Sequence, residues 1–335
     1  MFSPSMTALV CTRFGAPDVL APTLLPVPEL KPHEVLIRVE ASGVNRADIL
    51  QRQGKYPPPE GASDILGLEV AGSVVAVGAE TKRWKGGDKI CALLAGGGYA
   101  EYVAVDAAHC LPIPPHLSWI EAAALPEAIV TVYALLYEEA GLRDGETVLI
   151  HGGAGGIGTT AIQMLKTRGV RVFVTVRSPE KAAACLALGA EAAILSHQED
   201  FVARVNDLTA GEGVNVVLDN SGGDYLNRNL ACLAPRGRHI SLATMRGKEA
   251  LIDLRLVMQK RLMLTGSTLR ACRAAEKARL IAAVEAEVWP LVATGKIKPV
   301  IDQSFDIKNA AAAHKRMESS AHIGKMVLIV SLSEA

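Results

Sequence analysis

The sequence predicts an α/β protein in two parts, one β-rich and the other an open parallel sheet covered by helices on both faces. Three observations predict it. The chain has 335 residues, 50% of them hydrophobic, enough for roughly two cores at about 100–200 residues per domain. Up to about residue 120, short β-rich runs alternate with Gly, Pro and Asp clusters. Beyond it, strand and helix patterns follow one another in turn, which predicts a doubly wound parallel sheet.

In chain order, Met6-Thr7-Ala8-Leu9-Val10 reads as the first strand, and Pro22–Pro32 and Tyr56-Pro57-Pro58-Pro59 as loops. Strands are expected at Glu34–Glu40, Val70–Val77, Lys89–Leu94 and Ala100–Val105. A helix at Asn45–Arg52 would bring Asn45, Asp48 and Arg52 near one another. Trp119–Gly141 reads as helical, interrupted by Pro126. Strands at Thr147–Ile150, Arg171–Val176, Ala192–Leu195, Val214–Leu218 and Gly237–Leu242 then alternate with helices at Thr159–Thr167, Pro179–Leu188, Asp200–Leu208 and Tyr225–Cys232. A long helical stretch, Arg273–Thr294, and a strand at Lys325–Ser331 close the chain.

Composition narrows the function. The 35 basic and 35 acidic residues leave no net charge, which argues against a dedicated nucleic-acid or anionic-membrane binder and favours a small, mostly neutral ligand. Cys11, Cys91, Cys110, Cys185, Cys232 and Cys272 lie far apart with no C-x-x-C pair, so free, mostly buried thiols are expected. No apolar run is expected to reach the ~18 residues of a membrane span, because Pro126 and Glu127 break Ala122–Tyr137. Met1–Ser5 has neither the basic start nor the long apolar stretch of a signal peptide. A cytoplasmic location is expected.

The sharpest motif is Gly153-Ala154-Gly155-Gly156-Ile157-Gly158, a complete G-x-G-x-x-G. Alone it would be weak in a chain with 30 glycines. Here the strand Val148-Leu149-Ile150 enters it and the helix pattern Thr159–Leu165 leaves it. Dinucleotide binding needs this context: a tight turn, close backbone approach to a pyrophosphate, and a helix N-terminus facing the anion. At the tip of the next strand, where NAD sites carry an acidic residue, stand Arg177, Ser178 and Lys181. Together they could hold a 2′-phosphate by charge-assisted hydrogen bonds, so NADPH is expected over NADH. The alternative is that Arg177 and Lys181 are solvated surface residues.

With these residues in view, the chain resembles the medium-chain dehydrogenase/reductase superfamily, in its zinc-independent quinone oxidoreductase (zeta-crystallin-like) branch. The likeness covers nearly the whole chain. It rests on Gly43-Val44-Asn45-Arg46-Ala47-Asp48, on Gly67-Leu68-Glu69-Val70-Ala71-Gly72-Ser73-Val74, and on Gly87-Asp88. It continues through Gly97-Gly98-Tyr99-Ala100-Glu101-Tyr102-Val103, Gly152–Gly158, and Ile323-Gly324-Lys325-Met326-Val327. The resemblance implies a GroES-like catalytic domain from residues 1–125 and 267–335. It implies an inserted Rossmann NADP-binding domain, residues 126–266, and an active site in the cleft.

It also implies roles. Asn45 and Tyr56 would line the nicotinamide and acceptor side, with Tyr56 able to donate to a carbonyl oxygen and Asn45 able to bind acceptor or ribose. Their plainer readings are a helix cap for Asn45 and a packed loop aromatic for Tyr56. Thr131 and Lys325 would join the cofactor contacts, and Asp48 reads as a first-turn helix residue rather than a general acid. Related alcohol dehydrogenases hold zinc on a Cys and a His, but Asn45 and Leu68 stand in those places, so no metal is expected. Ser196-His197 replaces a family Tyr near the adenosine end. The apolar run Arg261–Ser267 is the expected dimer edge, so a homodimer is expected.

The function implied is hydride transfer from NADPH to a quinone or similarly activated carbonyl. The alternatives are reduction of an enal or enone C=C bond, or a non-enzymatic NADPH-binding role. No histidine shows a readable catalytic partner, and His151 reads as structural.

Overall fold

The computed structural model describes residues 4–330. The chain divides into two compact units, one formed by the part before Thr131 together with the part after Leu269, the other by Thr131–Leu269. Both junctions fall a few residues beyond the boundaries of 125/126 and 266/267 that the resemblance implies.

The first unit is built on the strand Glu34–Val44, which is long enough to hold three partners. One edge pairs with Glu69–Val77. On the other edge, its first half pairs with Tyr102–Asp106 and its last residues with Lys325–Ile329, in the register Met326↔Val44. Lys89–Leu93 and Cys110–Pro112 extend one side of the sheet and Ile301–Asp306 the other. Val35, Ile37, Val70, Val74 and Ile90 fill one core. Ile49, Leu66, Tyr99, Met326 and Leu328 fill another beneath the helices Arg46–Arg52 and Ala310–Glu318.

The expected loop at Pro22–Pro32 needs correction. Leu20–Pro26 is a strand, paired antiparallel with Ser5–Cys11 in a two-stranded ribbon. Proline lacks only the N–H, which a strand without a second partner does not need on its outer side. The far end of the expected strand, Ser331, and the first residues of the chain lie outside the described residues.

The second unit carries six parallel strands. They lie in the order Ala192–Leu195, Arg171–Val176, Thr147–His151, Val214–Asp219, Leu233–Ser241, Met263–Gly266. Numbered along the chain, that is 3-2-1-4-5-6, the doubly wound dinucleotide-fold order. Leu149, Phe173, Ile194, Phe201, Val217 and Leu230 form its core. The last strand is the sheet's edge, with Met263 and Leu264 exposed.

The helical run from 119 to 139 breaks into Trp119–Ala122, Pro126–Val132 and a wider-turned segment, Tyr133–Glu139. By length and composition it could cross a membrane, contrary to the expectation above. Most of it is buried within the protein, as for the core helix of a globular chain. All six cysteines are free thiols.

Candidate functional site

The glycine-rich turn sits between the strand Thr147–His151 and the helix Gly156–Lys166. That helix starts three residues before the expected Thr159 because Gly155, extended at φ −79°, is its N-cap. Gly152 takes φ +73°, and its N–H and that of Gly153 both donate to Thr175 O at 3.1 Å.

Each glycine has its own reason. A Cβ on Gly153 would lie 2.4 Å from Val174 Cβ, and one on Gly158 2.4 Å from Gly153 O. These two let helix and strands close up. A Cβ on Gly155 would meet only Gly152 O at 3.5 Å, so the fold itself leaves that space open. No side chain caps the helix, and the first-turn amides of Gly156, Ile157 and Gly158 have no intrahelical acceptor. An open cradle facing uncapped amides suits a phosphate group.

At the tip of Arg171–Val176, Arg177 is exposed. Ser178 caps the helix Pro179–Leu188, its Oγ accepting from the Lys181 N–H at 3.4 Å. Ser196 holds the neighbouring strand end, donating to Val176 O at 3.1 Å. Thr131 is buried in Pro126–Val132. His151 is buried, bonded to Thr175 Oγ1 at 2.9 Å and Asn229 Oδ1 at 2.7 Å. Burial holds its imidazole below the ordinary range.

In the other unit the strand register places Lys325 beside Asn45. The Lys325 ammonium donates to Asn45 Oδ1 and to Glu69 Oε1, and Asn45 Nδ2 donates to Glu69 Oε1 at 2.9 Å. Glu69 Oε2 accepts the Glu127 N–H at 2.9 Å. All three side chains are buried. Burial pulls the Lys325 pKa down, but the charges of Glu69 and Glu127 outweigh it and hold the ammonium above its ordinary value.

Asn45 is therefore a helix N-cap in backbone alone, with its amide committed to Glu69 and Lys325. Asp48 closes the cap from the other end, accepting the Asn45 N–H at 2.7 Å and the Gly67 N–H at 3.0 Å. Full burial pushes its carboxyl up to about 6, against the pull of those amides, Lys325 and Arg270. Tyr99 Oη donates to Asp48 at 3.3 Å and meets His314 Nε2 at 3.1 Å. Arg52, on the same helix, meets His314 Nδ1 at 3.3 Å and donates to Glu318.

Tyr56 is half-buried with Arg270 over its ring, 5.5 Å from the centroid. Burial raises its phenol pKa, which Arg270 partly offsets. Arg270 is itself buried. Its Nε donates to Ala95 O at 2.8 Å and its Nη2 to Gln51 Oε1 at 2.7 Å. Neither Glu69 nor Arg270 was among the expected site residues. Glu69 stood in the quoted Gly67-Leu68-Glu69 string, but nothing local marks Arg270.

Two family models match the chain: "Alcohol dehydrogenase GroES-like domain" over residues 31–115 and "Zinc-binding dehydrogenase" over residues 156–286. The quinone oxidoreductase of Pseudomonas aeruginosa is 35% identical over 94% of this chain and 97% of its own. The crystal structure of Escherichia coli quinone oxidoreductase complexed with NADPH is 31% identical, with a TM-score of 0.86, covering 97% of this chain and 100% of that one. The crystal structure of CurK enoyl reductase is 29% identical, with a TM-score of 0.86, covering 98% of this chain and 99% of that one. The chain thus belongs to the quinone oxidoreductase family of the medium-chain dehydrogenase/reductase superfamily, and it is an oxidoreductase of that family.

Proposed function

We propose that the protein is an NADPH-dependent, zinc-free oxidoreductase that transfers hydride to a quinone or similarly activated carbonyl. The observation that carries this reading is the open cradle at Gly155 beneath uncapped amides, next to a strand tip bearing Arg177 and no carboxylate in the 2′-OH position. A relative named quinone oxidoreductase and the NADPH-bound neighbour support it. NADPH, when bound, supplies the hydride. Gly153, Gly155, Gly156, Ile157 and Gly158 would receive its pyrophosphate, and Arg177 with Lys181 its 2′-phosphate. Ser178 would act there through the helix it caps. Asn45, Thr131 and Lys325 would contact the nicotinamide side, and Tyr56 the acceptor.

The family model's name implies zinc, and the residues do not fit it. Asn45 and Leu68 offer neither thiolate nor imidazole. The Lys325 ammonium already engages Asn45 and Glu69, and a second cation there would be repelled.

The test is steady-state oxidation of NADPH and NADH against a panel of quinones and enones. NADPH-selective quinone turnover, unaffected by a chelator, is expected. Enone turnover without quinone turnover would favour the C=C reductase reading, to which the likeness to CurK enoyl reductase lends support. The exposed Met263 and Leu264 on the edge strand support a homodimer. Light scattering giving a monomer mass would overturn it.

A further inference from the structure

We infer that Arg270 is the charged hydrogen-bond donor to the acceptor oxygen, a catalytic residue that holds the oxyanion formed as hydride arrives. This rests on the acceptor reading above and adds the group that polarises the acceptor.

Arg270 is 6% exposed. Two of its three nitrogens are satisfied, Nε by Ala95 O and Nη2 by Gln51 Oε1. Nη1 is buried with no partner among the described residues. An unsatisfied buried donor on a charged group is costly, and native proteins rarely leave one without a reason.

Among the described residues no carboxylate is hydrogen-bonded to Arg270. Its two bonded partners are both neutral amide oxygens, and Asp48 acts on it only through its field. Burial holds its pKa below the ordinary range, yet an arginine stays protonated. The result is a fixed cation with one idle nitrogen, Nη1. It lies against Tyr56, the residue that the family resemblance implies on the acceptor side.

The fork is also rigidly placed. Gln51, on the helix Arg46–Arg52, donates its own amide to Asp64 O at 2.9 Å. Arg270 O accepts from Lys277 Nζ at 2.8 Å. Donors fixed before the reaction stabilise developing charge without reorganising.

The step balances as follows. NADPH, when bound, would supply the hydride and be oxidised by two electrons. The acceptor would be reduced by two, gaining a C–H bond, or an O–H bond at one quinone oxygen, while the displaced electron pair goes to the carbonyl oxygen facing Arg270. Nη1–H donates to the oxyanion, and water then protonates it.

The first test is a binding titration with 4-nitrophenolate, an aromatic oxyanion that cannot be reduced by hydride at its oxygen, with nitrobenzene as the neutral control. Wild type should bind the phenolate roughly 10-fold more tightly than Arg270→Gln, with nitrobenzene unchanged. Gln51→Glu places a carboxylate on the guanidinium, so the fold should persist while phenolate affinity falls by a similar factor. In turnover, Arg270→Gln should lose about 10-fold in kcat/KM with a quinone and roughly 100-fold with an enone, which needs more polarisation. Equal phenolate binding by all three proteins would overturn the proposal. So would a loss uniform across phenolate, nitrobenzene and every acceptor, which marks a packing role. If wild type reduces no acceptor, the quinone reading fails, while the phenolate titration still judges Arg270.

Discussion

The six-stranded unit draws its candidate ligand contacts mostly from one continuous stretch, 153–181, whereas the seven-stranded unit gathers Asn45, Tyr56, Glu69, Arg270 and Lys325 from across the chain. The first kind of site is backbone and surface: open amides, a glycine cradle and an exposed arginine. The second is a set of buried charges that hold one another. The difference teaches that substitutions in one unit should act on binding and in the other on the fold as well.

The largest expected effect is therefore in the seven-stranded unit. Lys325→Met strands the carboxylate of Glu69, which is fully buried. Removing one partner of a buried pair costs about 3–5 kcal/mol, while replacing both is often nearly neutral. Equilibrium unfolding should show that loss for Lys325→Met and recovery of most of it in Glu69→Gln/Lys325→Met. A loss below about 1 kcal/mol in the single variant, the range of an exposed pair, would make the pair a surface-like contact.

Next comes a pH test of the same unit. Burial holds His314 down to about 3, so the folded protein refuses a proton that the unfolded chain accepts below about 6.5. Its contribution is present above that value and lost as pH falls toward 3. Asp48 runs the other way. Its folded pKa, about 6, lies above the ordinary 3.8, so its contribution is present below 3.8 and lost as pH rises through 6. Between pH 4 and 6 the two slopes oppose, each at most about 1.4 kcal/mol per pH unit. Denaturation of His314→Gln should gain stability relative to wild type as pH falls from 6 to 4. A pH-independent difference would place His314 outside this balance.

Legibility followed the same division. The turn, its strand and the helix Pro179–Leu188 were readable because glycine spacing and apolar runs act between near neighbours. The Asn45–Glu69–Lys325 cluster depends on the Met326↔Val44 register. No periodicity in the chain announces that pairing, and only the family likeness joined the tail to the first part. Arg270 was unreadable for the same reason, because its partners, Gln51 and Ala95, are long-range. The strand Leu20–Pro26 was missed because its prolines outweighed its pairing with Ser5–Cys11.

In the six-stranded unit the comparison sharpens at Gly155. The protein alone leaves room for a Cβ there, whereas Gly153 and Gly158 do not. Gly155→Ala should keep the melting temperature and weaken NADPH binding by roughly 100-fold, the loss of one or two charge-assisted phosphate contacts. A fallen melting temperature with intact NADPH affinity would reverse the assignment. Arg177→Ala should do less, because the side chain is exposed. The KM for NADPH should rise about 10-fold with NADH unchanged. An equal loss with both cofactors would remove Arg177 from 2′-phosphate recognition.

The smallest effect belongs to Tyr56, half-buried under Arg270. Tyr56→Phe keeps the ring that Arg270 covers and removes only the hydroxyl. If that hydroxyl donates to the acceptor, its bond strengthens as charge builds on oxygen, so kcat and kcat/KM should fall together with NADPH affinity unchanged. Burial raises the Tyr56 pKa, so the phenol stays protonated and able to donate at neutral pH. The loss should be about 10-fold at most, or ~1.4 kcal/mol. Quinones are already electrophilic, and water competes as a donor. An enone should lose more than a quinone. Unchanged kinetics with both classes would leave Arg270 as the sole polarising group and make Tyr56 the wall that orients it.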